Sequence, residues 1–272
     1  MRELLIQPSQ PARQYWQELW QYRELFCFLA WRDLLVRYKQ TVVGVAWALL
    51  RPLATMAVFT FVFGRLAKLP SDGVAYPLLV FSALLPWQFL ANAVVDCGNS
   101  LVQNANLVSK VFFPRLIVPA SSVLTSLVDT LLATCCLAAC MMFYQFAPSW
   151  RLLTLPLFAL LTLGAALGAG LWLAALTVRY RDFRLLAPFL LQLGFFISPV
   201  GYSTSVVPDR WRLLYSCNPV VGIIDGFRWA ILGDGDTLYW PGLGVSVVLI
   251  SLLLVAGLRT FRRMEPEFAD VI

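Results

Sequence analysis

Six long apolar stretches divide this chain, and they limit what it can fold into more than any other feature. They run from Thr41 to Phe63, Tyr76 to Val95, Leu116 to Phe146, Leu152 to Val178, Leu185 to Tyr202 and Trp240 to Leu258. A helix rises about 1.5 Å per residue, so ~20 apolar residues cross the ~30 Å hydrocarbon core of a bilayer. In that core only helices and closed barrels satisfy every backbone N–H and C=O. Long apolar runs with no alternation read as helices. Composition agrees: 60% of the 272 residues are hydrophobic and 13% are charged, where a soluble domain carries about 25% charged residues. The expected fold is an all-α polytopic membrane protein with six transmembrane helices.

An even number of crossings puts both termini on one side. Of the 21 Lys and Arg, fifteen fall in segments on the side of the termini. The other six are Arg65, Lys68, Arg151, Arg210, Arg212 and Arg228. The excess of cations on one side places both termini in the cytoplasm. The first residues, MRELLIQPSQPARQ, lack the short apolar core and cleavage site of a signal peptide, so the N-terminus is expected to stay.

Several chemistries are poorly supplied. There is no histidine, the commonest general base and metal ligand. Three of the six cysteines crowd into the apolar run LLATCCLAAC, with no second cluster to complete a metal site. They read as small packing residues of a helix, so neither a metal nor a structural disulfide is expected. The net charge of +6 tracks the borders of the apolar runs, which topology explains without a nucleic acid. No Gly-Lys pair is present, so the phosphate-gripping loop of an ATPase is missing.

Three segments outside the spans are unusual. Residues 15–26, YWQELWQYRELF, have helical periodicity. Tyr15, Trp16, Leu19, Trp20, Tyr22 and Phe26 share one arc, and Gln17, Glu18, Gln21 and Glu24 the other. This reads as a helix lying on the inner leaflet, followed by a basic turn from Arg32 through Arg37 to Lys39 that can meet lipid phosphates. It is either a plain membrane anchor or a docking surface. Between the second and third spans, Ser100 can cap an amphipathic helix of about three turns. Leu101, Ala105, Val108 and Phe112 form its apolar side, and Pro114 stops it. The third segment, between spans five and six, contains a short apolar piece from Val220 to Leu232 with Asp225 and Arg228 inside it. Its length suits a re-entrant or interfacial helix.

Within the spans, Arg51 either snorkels to the inner surface or meets an anionic substrate group. Asp129 stands in LTSLVDTLLAT without a second buried acid, and a hydrogen bond to Ser126, Thr125 or a neighbouring helix is expected. GAALGAG, residues 164–170, places small residues four apart for close helix packing. Phe59, Phe63, Phe195 and Phe196 are candidate rings for stacking against sugars.

Five segments in order resemble one known family. They are WRDLLVRYKQTVVGVAWALLRPL (31–53), LVSKVFFPRLIVP (107–119), RYRDFRLLAPFLLQLGFFISPVGY (179–202), NPVVGIIDGFR (218–228) and FRRMEPEFADVI (261–272). Together they resemble the permease subunit of an ABC exporter for polysaccharides: the O-antigen, capsule or teichoic-acid export permease of the second ABC-exporter class. The resemblance implies a homodimer in the bacterial inner membrane served by two copies of a separate ABC ATPase, which would carry the ATP and Mg. This chain would then hold no cofactor and catalyse no reaction. It implies a cytoplasmic segment over residues 1–40 with an interface helix, a transmembrane domain over 41–260 and a cytoplasmic tail over 261–272. The interface helix would present Trp16, Trp20, Glu24 and Arg32. A coupling helix near 100–113 would offer Asn104, Leu107, Lys110 and Phe112 to the ATPase, with Arg181 and Asp182 as a smaller second contact. Residues 205–232 would form outer re-entrant helices. The cargo would be a lipid-linked glycan, on undecaprenyl pyrophosphate or a related lipid; Arg51 and the four phenylalanines are expected at the channel on their own chemistry.

Three rivals are weaker. An exporter of a drug or small amphiphile shares the machinery, but the polar N-terminal interface helix and the SPVGY and NP motifs favour a glycan. An ion-driven carrier would want inverted repeats and paired buried acids. A membrane glycan enzyme would have only Asp209, Arg210, Arg212, Asp225 and Arg228 to work with.

Overall fold

The structure is a computed structural model that describes residues 12–39, 44–71, 73–233 and 238–268. Every regular element among the described residues is helical. Two helices open the chain, α1 (Ala12–Gln21) and α2 (Arg23–Lys39). Next come α3 (Gly44–Phe59), which widens into a π-helix over Thr60–Leu66, then α4 (Tyr76–Gln103), the short α5 (Ala105–Lys110) and α6 (Ile117–Phe143). A 3₁₀ turn leads into α7 (Leu155–Arg179), which is followed by α8 (Phe183–Ile197), α9 (Asp209–Tyr215), α10 (Pro219–Leu232) and α11 (Trp240–Met264).

Five helical stretches are long and apolar enough to cross a membrane: Ala46–Leu66, Tyr76–Gln103, Ile117–Phe143, Trp150–Arg179 and Trp240–Glu267. The expected fifth crossing, Leu185–Tyr202, is instead a helix of 15 residues, α8. It ends at Ile197 because Ser198 turns extended, with ψ 152°, at the Ser-Pro step. The first expected crossing begins at Thr41, outside the described residues, and its described part runs three residues beyond Phe63.

The centre of the bundle is α4. Of its most apolar stretch 78% is buried, against 6% for the stretch containing α3, so α4 is walled by other helices while α3 lies on the flank. A helix apolar all round belongs in such a position. Small residues let its neighbours come close. A Cβ at Gly170 would clash with Cys97 of α4, and one at Gly98 with Leu173 of α7. On the other side of α7, Gly168 abuts the backbone of Leu253 and Leu254, and Gly257 abuts the Gly168 carbonyl. The small-residue stripe of residues 164–170 therefore serves two neighbours, α4 and α11.

Contacts fix the direction of each helix. Gly164 faces Ile250 and Gly168 faces Leu254, so α7 and α11 run parallel. The intervening α8 runs back between the two ends. The C-terminal ends of α4, α7 and α11 and the start of α6 share one end of the bundle, rich in arginine and here called the basic end. There Glu265 accepts from the Arg115 backbone N–H at 2.8 Å and from the Tyr15 hydroxyl at 3.0 Å, and the Arg262 guanidinium lies 4.5 Å from the Tyr15 ring centre. Burial, and the Glu265 carboxylate beside it, push the Tyr15 hydroxyl well above the usual phenol range, so it remains a donor.

Candidate functional site

A cleft with a polar stripe on a largely apolar lining opens between α2, α3, α4, α6 and α8. Its larger lobe encloses about 610 Å³ and its smaller lobe about 420 Å³. Arg51, Gln88, Asn92 and Pro188 line both lobes. The cleft exists because α4 carries one polar stripe through an apolar sequence: Gln88, Asn92 and Asp96 are four residues apart and so share a face. Pro52 and Pro188 lie inside the helices opposite, α3 and α8.

One end of the larger lobe is closed by an ion-pair cluster. Arg37, near the end of α2, donates from Nη2 to Asp96 Oδ2 at 2.8 Å and from Nη1 to Asp129 Oδ2 at 2.7 Å. Ser126 donates to the same Asp96 oxygen at 2.8 Å, and the Tyr38 hydroxyl donates to Asp129 Oδ1. Burial and the Asp129 carboxylate raise Tyr38 above the usual phenol range, which keeps that donor protonated.

This cluster corrects two sequence expectations and meets a third. Asp129 is not alone: Asp96 stands beside it. The hydrogen bonds expected for Asp129 come from a neighbouring helix, from Arg37 and Tyr38 of α2, while Ser126 bonds Asp96. Arg37 faces carboxylates, not lipid phosphates, because Arg32 to Lys39 is the last part of α2 and not a turn. Tyr38, Gln88, Asn92 and Asp96 went unremarked in the sequence. The four-residue polar spacing on α4 was the signal that could have found the last three.

Arg51 lines both lobes, and among the described residues its guanidinium has no ion-pair partner. The far end of the smaller lobe is aromatic. Phe59 packs against Phe63 with ring centres 5.1 Å apart and against Phe195 at 5.3 Å. Phe195 also meets Trp87 at 5.6 Å and Phe196 at 5.6 Å. The four phenylalanines singled out in the sequence thus form one cluster, joined by Trp87.

At the basic end the N-terminal helices and the α4–α6 connection meet. Arg32 donates from Nη2 to Asp33 and to Asn104 Oδ1, both at 2.7 Å. The expected helix over 100–113 is shorter and starts later. Ser100 caps nothing: its hydroxyl donates back to the Cys97 carbonyl inside α4, which continues to Gln103. Asn104, with ψ 26°, breaks the helix, and α5 spans six residues to Lys110, four before Pro114. Val108 is buried, Leu107 is half-buried, and Lys110 and Phe112 are exposed. Arg181 and Asp182 are exposed on the connection between α7 and α8.

The N-terminal arc also divides. A break at Tyr22 separates α1 from α2. Tyr15 is buried and Leu19, Tyr22 and Phe26 pack on the core, while Trp16 and Trp20 point outward with Gln17 and Gln21. Glu24 is exposed as well.

At the opposite end α10 is buried along nearly its whole length, and Arg228 is completely buried. Its guanidinium donates to the carbonyls of Leu79 at 3.3 Å, Tyr202 at 2.8 Å and Val200 at 3.2 Å. Tyr76 donates to the Gly201 carbonyl beside them. Arg228 therefore ties the Ser198–Tyr202 turn to α4 and is not presented to a substrate. The apolar piece expected over Val220–Leu232 corresponds closely to α10.

Several helices long enough to cross a bilayer, arranged around an ion-paired and amide-lined cleft, define a multi-pass membrane protein. Residues 24–232 match the family described as ABC-2 type transporter, and the chain belongs to that family. It is 29% identical over 264 residues to the O-antigen export system permease protein RfbA of Myxococcus xanthus, covering 94% of this chain and 98% of that one. The protein of the same description from Klebsiella pneumoniae is 24% identical over 250 residues, covering 92% and 95%. The polysialic acid transport protein KpsM of Escherichia coli is 22% identical over 239 residues, covering 86% and 91%.

Proposed function

We propose that this chain is the membrane subunit of an ATP-driven exporter that moves a lipid-linked polysaccharide, an O-antigen or similar surface glycan, across the bacterial inner membrane. The observation that carries this reading is the set of groups that line the smaller lobe together: a cation, Arg51, the amides Gln88, Asn92 and Gln192, and the rings of Phe195 and Phe196. A guanidinium suits a phosphate, amides suit sugar hydroxyls, and rings suit the apolar faces of sugars. The relatives named for O-antigen and polysialic acid support the same cargo class.

In this reading α8 makes a sixth crossing, both termini are cytoplasmic by the arginine bias, and the basic end faces the cytoplasm. The outward Trp16 and Trp20 sit at the headgroup level and α10 re-enters the membrane from the outer side. Two copies form the channel and two separate ATPase subunits dock below. The segment from Asn104 to Phe112, with Lys110 and Phe112 exposed on it, and Arg181 and Asp182 form the docking surface. ATP-driven closure of the ATPases draws the two segments together and shifts the spans as rigid bodies.

The test is affinity purification of the tagged chain from native membranes in mild detergent. An ABC ATPase is expected at about one copy per chain, as two docking surfaces per dimer require. A dimer that keeps its integrity but brings no ATPase sinks the assignment. Reversing charge with Lys110→Glu is expected to lower export about tenfold, the effect of losing a favourable contact at a docking surface. Because Lys110 is exposed, the thermal stability of the isolated chain should not change; export at the wild-type level would remove α5 from the docking surface.

A further inference from the structure

Arg37 joins three helices that the chain sequence keeps far apart. It belongs to α2, and its two carboxylate partners belong to α4 and α6. Five residues earlier on the same unbroken helix, Arg32 holds Asn104 at the turn between α4 and α5. We propose that Arg37 is a positioning residue for transport: its pairs with Asp96 and Asp129 form a latch on the cleft wall, which opens and closes as movement of the Asn104 turn is passed along α2. This rests on the reading of the Asn104–Phe112 segment as the ATPase contact.

Three features support a latch over a fixed brace. First, the pair is weak enough to break. The Arg37, Asp96 and Asp129 side chains keep 34%, 25% and 22% of their surface exposed, and ion pairs open to solvent hold only modestly. Second, Asp96 is not stranded when Arg37 leaves, because Ser126 of α6 still donates to it. Third, opening changes what the cleft offers. Closed, the Arg37 charge is spent on two carboxylates. Open, it adds a second guanidinium to the lobe that Arg51 already lines. The lever is short and stiff: five helical residues span about 7.5 Å.

The test uses the full chain with its co-purified ATPase in lipid nanodiscs. Spin labels on Val36→Cys and Leu131→Cys, both exposed positions on α2 and α6, report the separation of the two helices. The exposed Cys27, Cys135 and Cys217 are first replaced by alanine. A distance change between the nucleotide-free state and the ATP–vanadate state is expected, and with Arg37→Gln the two states should give the same distance. An unchanged wild-type distance overturns the latch. Periodate-reactive polysaccharide at the cell surface, per unit of chain in the membrane, gives the second readout. Arg37→Gln is expected to lower it at least tenfold while the purified complex still hydrolyses ATP, and Arg37→Lys, which reaches one carboxylate at a time, to restore part. The exchange Arg37→Asp with Asp129→Arg should recover more than either single reversal. A merely structural role would lower the amount of complex and leave export per complex unchanged. If Arg37→Gln does not fold, the wild-type distance measurement still decides. Failure of the wild-type chain to restore surface polysaccharide in a deletion strain would count against the cargo, and failure to retain an ATPase against the docking reading; neither bears on the labelled distance.

Discussion

Gly257→Val is expected to abolish recovery of folded, monodisperse protein, whereas Gly244→Ala on the same helix is expected to be tolerated. The difference follows from what each new Cβ would meet. At Gly257 it would lie 2.2 Å from the Gly168 carbonyl oxygen and 3.0 Å from the carbonyl carbon, both backbone atoms of α7. At Gly244 it would meet nothing within 4 Å. A side chain pressed by another side chain can change rotamer. A side chain pressed by backbone can only push the helices apart. Overpacking of this kind costs typically about 1–3 kcal/mol and more where the backbone cannot yield. Both Gly168 and Gly257 belong to the one contact that brings α11 against α7, so separation there also opens the packing at Ile250 and Gly164. In a bilayer no hydrophobic drive compensates, because lipid tails are as apolar as the exposed helix. Size-exclusion chromatography and a melting curve in mild detergent check both variants; a Gly257→Val protein that melts with the wild type would show that α7 and α11 do not touch here.

Where the sequence was legible, one simple physical rule governed the segment. Twenty apolar residues in a row have little choice but to span, and the helices over Tyr76, Ile117, Trp150 and Trp240 follow the apolar runs closely. The small-residue stripe was legible for the same reason: close approach needs absent side chains. The ion-pair cluster was not legible, and the cause is a boundary. Hydropathy falls at Asp96, so the second span was ended at Val95. The backbone does not end there. Helix α4 runs seven residues past Asp96, since Ser100 and Asn99 satisfy their side chains on carbonyls of the preceding turn. Asp96 therefore sits on a helix wall facing α6 instead of in a loop. Its partner Arg37 lies 59 residues away and the second partner pair, Arg37 with Asp129, 92 residues apart, distances over which no local pattern signals pairing. The same boundary error lengthened the expected helix at 100–113, taking the last turn of α4 for the start of a new element. The aromatic cluster shows the reverse case. Phe59, Phe63, Phe195 and Phe196 were chosen for chemistry alone, and the fold packs them together because α3 and α8 flank the same face of α4 near Trp87.

Arg228→Ala is expected to destabilise the protein by about 3 kcal/mol, the loss of charge-assisted hydrogen bonds in a buried site. Arg228 has no exposed surface, and its fork reaches three backbone carbonyls, those of Leu79, Val200 and Tyr202. Two belong to the turn after α8, where the chain can make no helical bonds of its own. Removing the guanidinium leaves those acceptors without that donor and leaves space where it stood. Tyr76, Asn218 and Tyr215 still hold the turn through Gly201, Ser198 and Ile197, so the expected result is local loosening before global loss. Limited proteolysis should cut between Ser198 and Trp211 in the variant and not in the wild type, and the melting midpoint should fall. Arg228→Lys keeps the charge but not the planar fork, so it should recover only part. The rival view, in which Arg228 serves a substrate or a glycan-modifying reaction, predicts the opposite division: an unchanged melting midpoint with lost export. That outcome would mean that the guanidinium leaves its carbonyls during transport. The burial of Arg228 among groups that are themselves fixed argues that it stays, and that the moving parts lie at the other end of the bundle, where the ion pairs are only partly buried.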